Sequence, residues 1–433
     1  MAKYVHLFET VNEFNSARTP DNYVEPWLSY TKENSGLTFN KTEYEKLLET
    51  PLTFNIISAG TIVWKAQNTA YTTTIEYSMD SGSTWTSITS SKEGTSISVN
   101  PGDVIQFRGD NATYSSGSSR YSTFRASTAI FEAEGNIMSL IDSTGFSRAT
   151  ALQSAYTFVR LFSDCAGLMN VSNLILPAST LADYCYQYMF NGCTSLTTAP
   201  ELLATTLASQ CCFSMFTNCT GLTTAPELPA TTLASSCYTS MFRGCISLTT
   251  APSLPATTLA NHCYSNMFSG CTSLTTAPSL PATTLANYCY QAMFTNCTGL
   301  TTAPELPATT LASSCYVSMF RGCISLTTAP ELPATTLADY CYHAMFTNCT
   351  GLTTAPELPA TTLADYCYQN MFQACTSLNY IKCLATDISA GGCTYNWVSG
   401  VAATGTFIKN PSMTGWTTGI NGIPSGWTVQ DAS

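Results

Sequence analysis

The chain has 433 residues, with 16 Lys and Arg against 27 Asp and Glu and a formal net charge of −11. That balance excludes nucleic-acid binding through phosphate contacts, which needs clustered cations. Only 10% of residues are charged, so the surface is neutral and rich in hydroxyls, suited to contact rather than to electrostatic steering.

Residues 1–50 read as an arm. The opening Met-Ala-Lys-Tyr-Val-His-Leu-Phe-Glu-Thr lacks the apolar core of a secretory signal, so none is expected. No apolar run of about 18 residues occurs, so no membrane insertion is expected. Tyr23 to Tyr30 is an extended aromatic segment. Asn40 to Leu48 predicts a short helix, with Asn40 as cap and Glu43 three residues on. The arm has too few apolar residues for a core of its own. It is expected to dock on another protein through Tyr23, Trp27 and Tyr30.

Residues 51–140 read as short strands. Thr61–Trp64, Thr73–Ser78, Ser83–Ile88, Ser96–Val99 and Val104–Phe107 are rich in β-branched and aromatic residues. Asp80-Ser81-Gly82, Glu93-Gly94 and Asn100-Pro101-Gly102-Asp103 supply turns. The spacing predicts an all-β, immunoglobulin-like sandwich. Ser78-Met79-Asp80-Ser81-Gly82-Ser83-Thr84-Trp85 resembles the Asp-box of sialidases, which in that family is a structural hairpin repeated around a propeller. It occurs here once, which argues for a turn and against catalysis. Arg108-Gly109-Asp110 spells an integrin-binding tripeptide directly after a strand, where chance is the simpler reading.

Residues 141–380 are a repeat. Met189, Met215, Met241, Met267, Met293, Met319, Met345 and Met371 are each followed by Phe, at a step of 26 residues. A fixed period of this size predicts units that pack on their neighbours. In Cys219 to Gly244, Leu222, Ala225 and Leu228 lie in a Thr- and Pro-rich stretch that predicts a short strand. Leu233, Cys237, Met241 and Cys245 then recur every four residues, which predicts a helical turn. The expected fold is therefore multidomain: an all-β sandwich, then a curved solenoid of one short strand and one helical turn per repeat. All 20 Cys lie from Cys165 onward. Those in register, such as Cys185 and Cys193, read as small apolar core residues. The leftover Cys383 and Cys393 leave a local disulfide open. Residues 381–433, with Trp397, Trp416 and Trp427, read as a C-terminal cap over the last open face.

Cys219, Leu222, Ala225, Leu228, Pro229 and the Met241-Phe242 pair resemble the BspA-type (Treponema-type) leucine-rich repeats of bacterial surface proteins, with three extra residues per unit. The resemblance implies adhesion and binding of protein or glycan rather than catalysis. The stretch Glu25-Pro26-Trp27-Leu28-Ser29-Tyr30-Thr31-Lys32-Glu33, followed by strands and these repeats, is similar to proteins encoded by bacteriophages of gut Bacteroidales. That resemblance implies a virion protein, made in the cytosol and freed by lysis.

Within the repeats some columns vary while their neighbours do not, and these are the candidate binding face. They hold Tyr184, Tyr188, Arg243, His262, Tyr288, Arg321, Tyr340, His343 and Tyr366. A further column, Glu227, Glu305, Glu331 and Glu357, reads as solvated carboxylates. The three His are scattered and there is no CxxC pattern, so neither a metal nor a cofactor is expected. The reading that follows is a non-enzymatic virion protein, tail- or head-fibre-like. Its arm would dock on other virion proteins, and its repeats would bind a host surface protein or glycan. It is compatible with a homo-oligomer. The alternatives are a bacterial cell-surface adhesin and, more remotely, a glycan-acting enzyme.

Overall fold

The computed structural model describes Tyr30–Thr31, Thr38–Phe39 and residues 41–117, 119–126 and 128–433. The chain divides into two units, Met1–Ala230 and Thr231–Ser433.

In the first unit, β1 (Tyr30–Thr31) pairs antiparallel with β2 (Thr38–Phe39). Helix α1 (Lys41–Glu49) falls where the sequence predicts one, although Asn40, its expected cap, lies outside the described residues. Tyr44 and Leu48, one turn apart, are buried. Asn136 Nδ2 donates to the Leu48 carbonyl at 3.0 Å, and Asn136 N to that of Thr50 at 2.8 Å. This last part of the N-terminal segment thus packs on its own unit.

Two sheets follow. One holds β3 (Leu52–Ser58), β5 (Thr74–Ser78), β6 (Thr86–Thr89), β8 (Val104–Arg108) and β10 (Ile130–Asn136). The other holds β4 (Gly60–Ala66), β7 (Thr95–Val99) and β9 (Ser122–Arg125). Alternation along β3 and β4 turns Leu52, Phe54, Ile56, Ile62 and Trp64 inward. Phe54 sits 4.6 Å from Phe107 and 4.5 Å from Phe131 in its own sheet, and 5.0 Å from Phe124 in the other. The strands expected between residues 51 and 140 are present, but the immunoglobulin arrangement is not. There the first strand lies beside the second. Here β3 lies between β10 and β8, and β4 between β7 and β9. Hydrophobic alternation determines which face a strand buries; it carries no information on which strand sits beside it.

The repeats depart from expectation further. Among the described residues α1 is the only α-helix, so the predicted solenoid of strand plus helical turn is overturned. The fourfold apolar spacing is real, but a chain of turns produces it. In residues 262–271 alternate amides divide their partners. Cys263, Ser265, Met267, Ser269 and Cys271 donate three residues back within the turn, while His262, Tyr264, Asn266, Phe268 and Gly270 donate to Asn287, Cys289, Gln291, Met293 and Thr295 of the next repeat. Every fourth residue adopts a left-handed backbone, as at His262 (φ 57°), Asn266 (φ 56°) and Gly270 (φ 77°). A helix donates every amide four residues back, which leaves none for a neighbour. The strand side is reduced as well. Single parallel bridges join Thr250 to Thr276 and Thr276 to Thr302, and the flanking Pro residues keep them from growing into a sheet.

Side chains stack in register. Phe242, Phe268, Phe294, Phe320, Phe346 and Phe372 form a column with centroids 5.6–5.8 Å apart. Tyr238 to Tyr368 form a second. The thiol of Cys297 donates to the Phe268 carbonyl at 3.0 Å, and Cys323, Cys349 and Cys375 repeat the bond. All 20 Cys are buried and none is disulfide-bonded, Cys383 and Cys393 included, so no local disulfide forms.

Aromatic rings cover the first repeat of the first unit and the last repeat of the second. In the first unit Phe162 stacks on Phe124 at 5.7 Å and on Phe190 at 5.4 Å, so the sheets' core runs into the repeats. β11 (Leu168–Asn170) and β12 (Leu174–Ile175) extend this by pairing with β10 in parallel. In the second unit the register continues past residue 380. Phe372 N donates to the Trp397 carbonyl at 2.8 Å, and β13 (Tyr380–Cys383), β14 (Thr406–Lys409) and β15 (Thr428–Asp431) form a parallel sheet. Trp416 then stacks on Trp397 at 5.5 Å.

Candidate functional site

The left-handed residues stand at the corners of the turns. The second residue after each Leu-Ala occupies the first corner, and it is here that most of the sequence-nominated residues meet. In the second unit His262 stacks on Tyr288 at 4.5 Å with an interplanar angle of 4°, and Tyr340 on Tyr366 at 4.6 Å and 13°. These rings sit closer than the 5.8 Å between the buried Tyr290 and Tyr316. Ser314 interrupts the stripe between the two pairs. At its far end a Cβ on Gly392 would come within 2.6 Å of the Tyr366 ring, so glycine lets that ring lie flat on the backbone. Tyr340 is 37% exposed.

Most L-residues pay about 1–2 kcal/mol for a left-handed backbone, and only Gly escapes it. A large aromatic ring at such a corner therefore gains nothing from local conformation. Tyr340 (φ 58°) and Tyr366 (φ 57°) are held there by the neighbouring repeats.

His343 lies half-buried beside Tyr340, 5.8 Å between ring centroids. Desolvation pushes its pKa below the ordinary value, a hydrogen bond with Gln369 opposes this, and the Arg321 charge adds to the lowering. Desolvation lowers that of His262 too. Both shifts favour the neutral imidazole. Arg243 and Arg321 are exposed, each directly before a left-handed glycine, Gly244 and Gly322, and three residues before an exposed isoleucine, Ile246 and Ile324. They do not join the aromatic stripe, although Arg321 reaches His343 electrostatically.

In the first unit Tyr156 stacks on Tyr184 at 4.6 Å and 11°. One corner further along, Arg160 lies over the Tyr188 ring at 4.0 Å, and Phe213 meets that ring edge-on at 5.4 Å. Tyr156, Arg160 and Phe213 were not singled out by the sequence reading. The signal was available, since Tyr156 and Arg160 precede Phe162 as Tyr184 and Tyr188 precede Phe190. Of the expected docking residues, Tyr23 and Trp27 lie outside the described residues, and Tyr30 is described only through its pairing with Phe39.

Some variable positions have structural duties. Asp183, Asn261 and Asp365 each accept a backbone amide of the next repeat, from Ser209, Asn287 and Gly391. The glutamate column is exposed, and Glu357 pairs with Lys382 at 3.0 Å.

The two motifs in the sheets are occupied internally. Asp80 accepts Thr84 N at 2.8 Å, Thr84 Oγ1 at 2.6 Å and Ser78 Oγ at 2.7 Å, and the Thr84 hydroxyl first among these holds its carboxyl down at about 2. Trp85 Nε1 closes the turn on the Gly82 carbonyl. Arg108 pairs with Glu76 at 2.7 Å and covers Trp85, while Asp110 accepts Ser143 N at 2.8 Å. The tripeptide is therefore tied down at both ends. Among the described residues no group of three His, Cys, Asp or Glu could hold a metal ion. Among the described residues no helix is long and apolar enough to cross a membrane.

No protein-family model matches the chain, and no curated protein matches it.

Proposed function

We propose that the protein is a non-enzymatic recognition protein, mounted on a particle by its N-terminal arm and contacting a host surface protein or glycan through the aromatic corners of its repeats. The observation that carries this reading is the stacking of Tyr340 on Tyr366 and of His262 on Tyr288 at left-handed positions. Parallel, part-exposed rings offer flat apolar contact with a polar rim, which suits sugar faces and aromatic side chains. The Asp-box carboxylate is taken up by its own turn, so it supports scaffold over hydrolysis. The setting in a phage particle rests on the resemblance of the N-terminal stretch, and the net charge of −11 accords with the absence of a nucleic-acid role.

Two experiments test this. Purified virions probed for the chain should contain it; absence from particles together with retention on a bacterial cell surface would move it to the adhesin reading. The full chain should bind host cells or arrayed glycans, and Tyr340→Ala with Tyr366→Ala should reduce that binding about tenfold or more while leaving the melting curve nearly unchanged. Undiminished binding by the double variant would remove the stripe from the account.

A further inference from the structure

The first unit holds a cation whose surroundings differ from those of its neighbours. Arg108 is paired with Glu76, and Arg125 with Asp164 at 2.8 Å. Arg160 has no such partner. Its guanidinium lies over the rings of Tyr188 at 4.0 Å and Tyr121 at 5.4 Å. Among the described residues no carboxylate pairs with it, and its Nε is buried without a hydrogen-bond partner. The backbone holds it in place, since Arg160 N donates to the Gln187 carbonyl at 3.0 Å and Ser163 N donates to that of Arg160 at 3.0 Å. Tyr121 is steadied in turn by its hydroxyl on Gln67 at 3.2 Å.

A guanidinium beside aromatic rings keeps its fork of donors in one plane, and that fork matches a carboxylate with two parallel bonds. An unpaired buried donor on a charged group is unfavourable until something accepts from it. One corner away, Tyr156 and Tyr184 supply stacked rings on which a sugar could lie. A chain with a net charge of −11 repels polyanions in general, so any affinity for one must arise at a local site.

We infer that Arg160, Tyr156, Tyr184 and Tyr188 form a site for an acidic saccharide, in which the Arg160 fork binds the sugar's oxyanion and the part-exposed tyrosine rings bind its ring face, with the buried Tyr121 supporting the guanidinium. This deepens the recognition reading by naming a ligand class for the first unit. It is independent of the Tyr340–Tyr366 stripe, so failure here leaves cell binding through that stripe standing.

The test uses the full chain and three kinds of probe: polygalacturonate and hyaluronan, their methyl esters, and dextran sulfate. The carboxylated polymers are expected to bind, and esterification, which keeps the shape and removes the charge, is expected to weaken binding about ten- to hundredfold, as for a lost charge-assisted hydrogen bond. Stronger binding to dextran sulfate would assign the oxyanion to a sulfated sugar, provided Arg160→Gln abolishes it. Arg160→Lys, which keeps the charge and loses the fork, should bind more weakly than the parent with an unchanged melting curve. Equal affinity for acid and ester, unchanged binding by Arg160→Lys and Arg160→Gln, or no binding to any of these polymers would each overturn the inference.

Discussion

The two sheets and the repeats are built from the same kinds of apolar side chain, but they tie them together differently. In the sheets Phe54 touches Phe107 and Phe131 beside it and Phe124 opposite, so one side chain links four strands. In the second unit Phe294 stacks only on Phe268 and Phe320, one repeat to either side. Cooperativity is shared among all strands in the first case and passed between nearest neighbours in the second. A repeat can therefore carry a changed corner residue, and with it a changed binding surface, without asking anything of a repeat two steps away.

Large-to-small changes in the two cores should separate these behaviours most clearly. Phe54→Ala and Phe294→Ala each remove a fully buried ring and are expected to cost about 3–5 kcal/mol. Hydrogen exchange should show all the strands of residues 52–136 losing protection together in the first variant. In the second, the loss should centre on residues 268–320 and fade on either side. Uniform loss of protection across the second unit would contradict the nearest-neighbour account.

Alkali should distinguish the regions next. Burial pushes the thiols of Cys297, Cys315 and Cys375 up to about 12 from an ordinary 9.0. The unfolded chain releases these protons above about pH 9, whereas the folded chain holds them to about pH 12. Their contribution to stability is thus fully present below pH 9 and is lost as pH rises towards 12, by about 1.4 kcal/mol per pH unit for each thiol. Residues 52–136 contain no cysteine. Limited proteolysis at stepped pH should therefore cut the repeats first, and a thiol reagent should stay unreactive until they open. Early cleavage within the sheets would break the comparison.

The two regions also differ in what their sequences disclose. The strands of the sheets are legible because Ile62 and Trp64, or Ile105 and Phe107, alternate with outward residues. Their order is not, because β3 pairs with β8 and β10 across most of the sheet region, and no local pattern marks such a partner. In the repeats the reverse holds. The 26-residue step and the buried Cys, Met and Phe columns can be read directly. The conformation cannot, because a spacing of four is shared by a helix and by a chain of turns with a left-handed corner at every fourth residue. A strict four-residue recurrence ending in Gly or Asn, as at Gly244, Asn296 and Asn348, was the available clue, since 3.6 residues per turn would have drifted. The corners that bear the tyrosines were legible as variable positions, whereas their stacking into pairs depended on the turn.

The smallest effect follows from those corners and has opposite signs in the two regions. Ala292 adopts φ 51°, at the corner where other repeats place Asn266 and Asn370. An alanine there suffers the clash of its Cβ with the backbone, which glycine avoids. Part of that gain is cancelled because glycine also loosens the unfolded chain. Ala292→Gly should therefore stabilise the second unit by about 0.5 kcal/mol. Ala133, buried in β10, has no left-handed backbone to relieve, so Ala133→Gly should destabilise by about 1 kcal/mol or more. Urea midpoints of the two variants should move in opposite directions. If Ala292→Gly lowers its midpoint as Ala133→Gly does, the left-handed corners are not strained, and the tyrosines that occupy them need no support from neighbouring repeats.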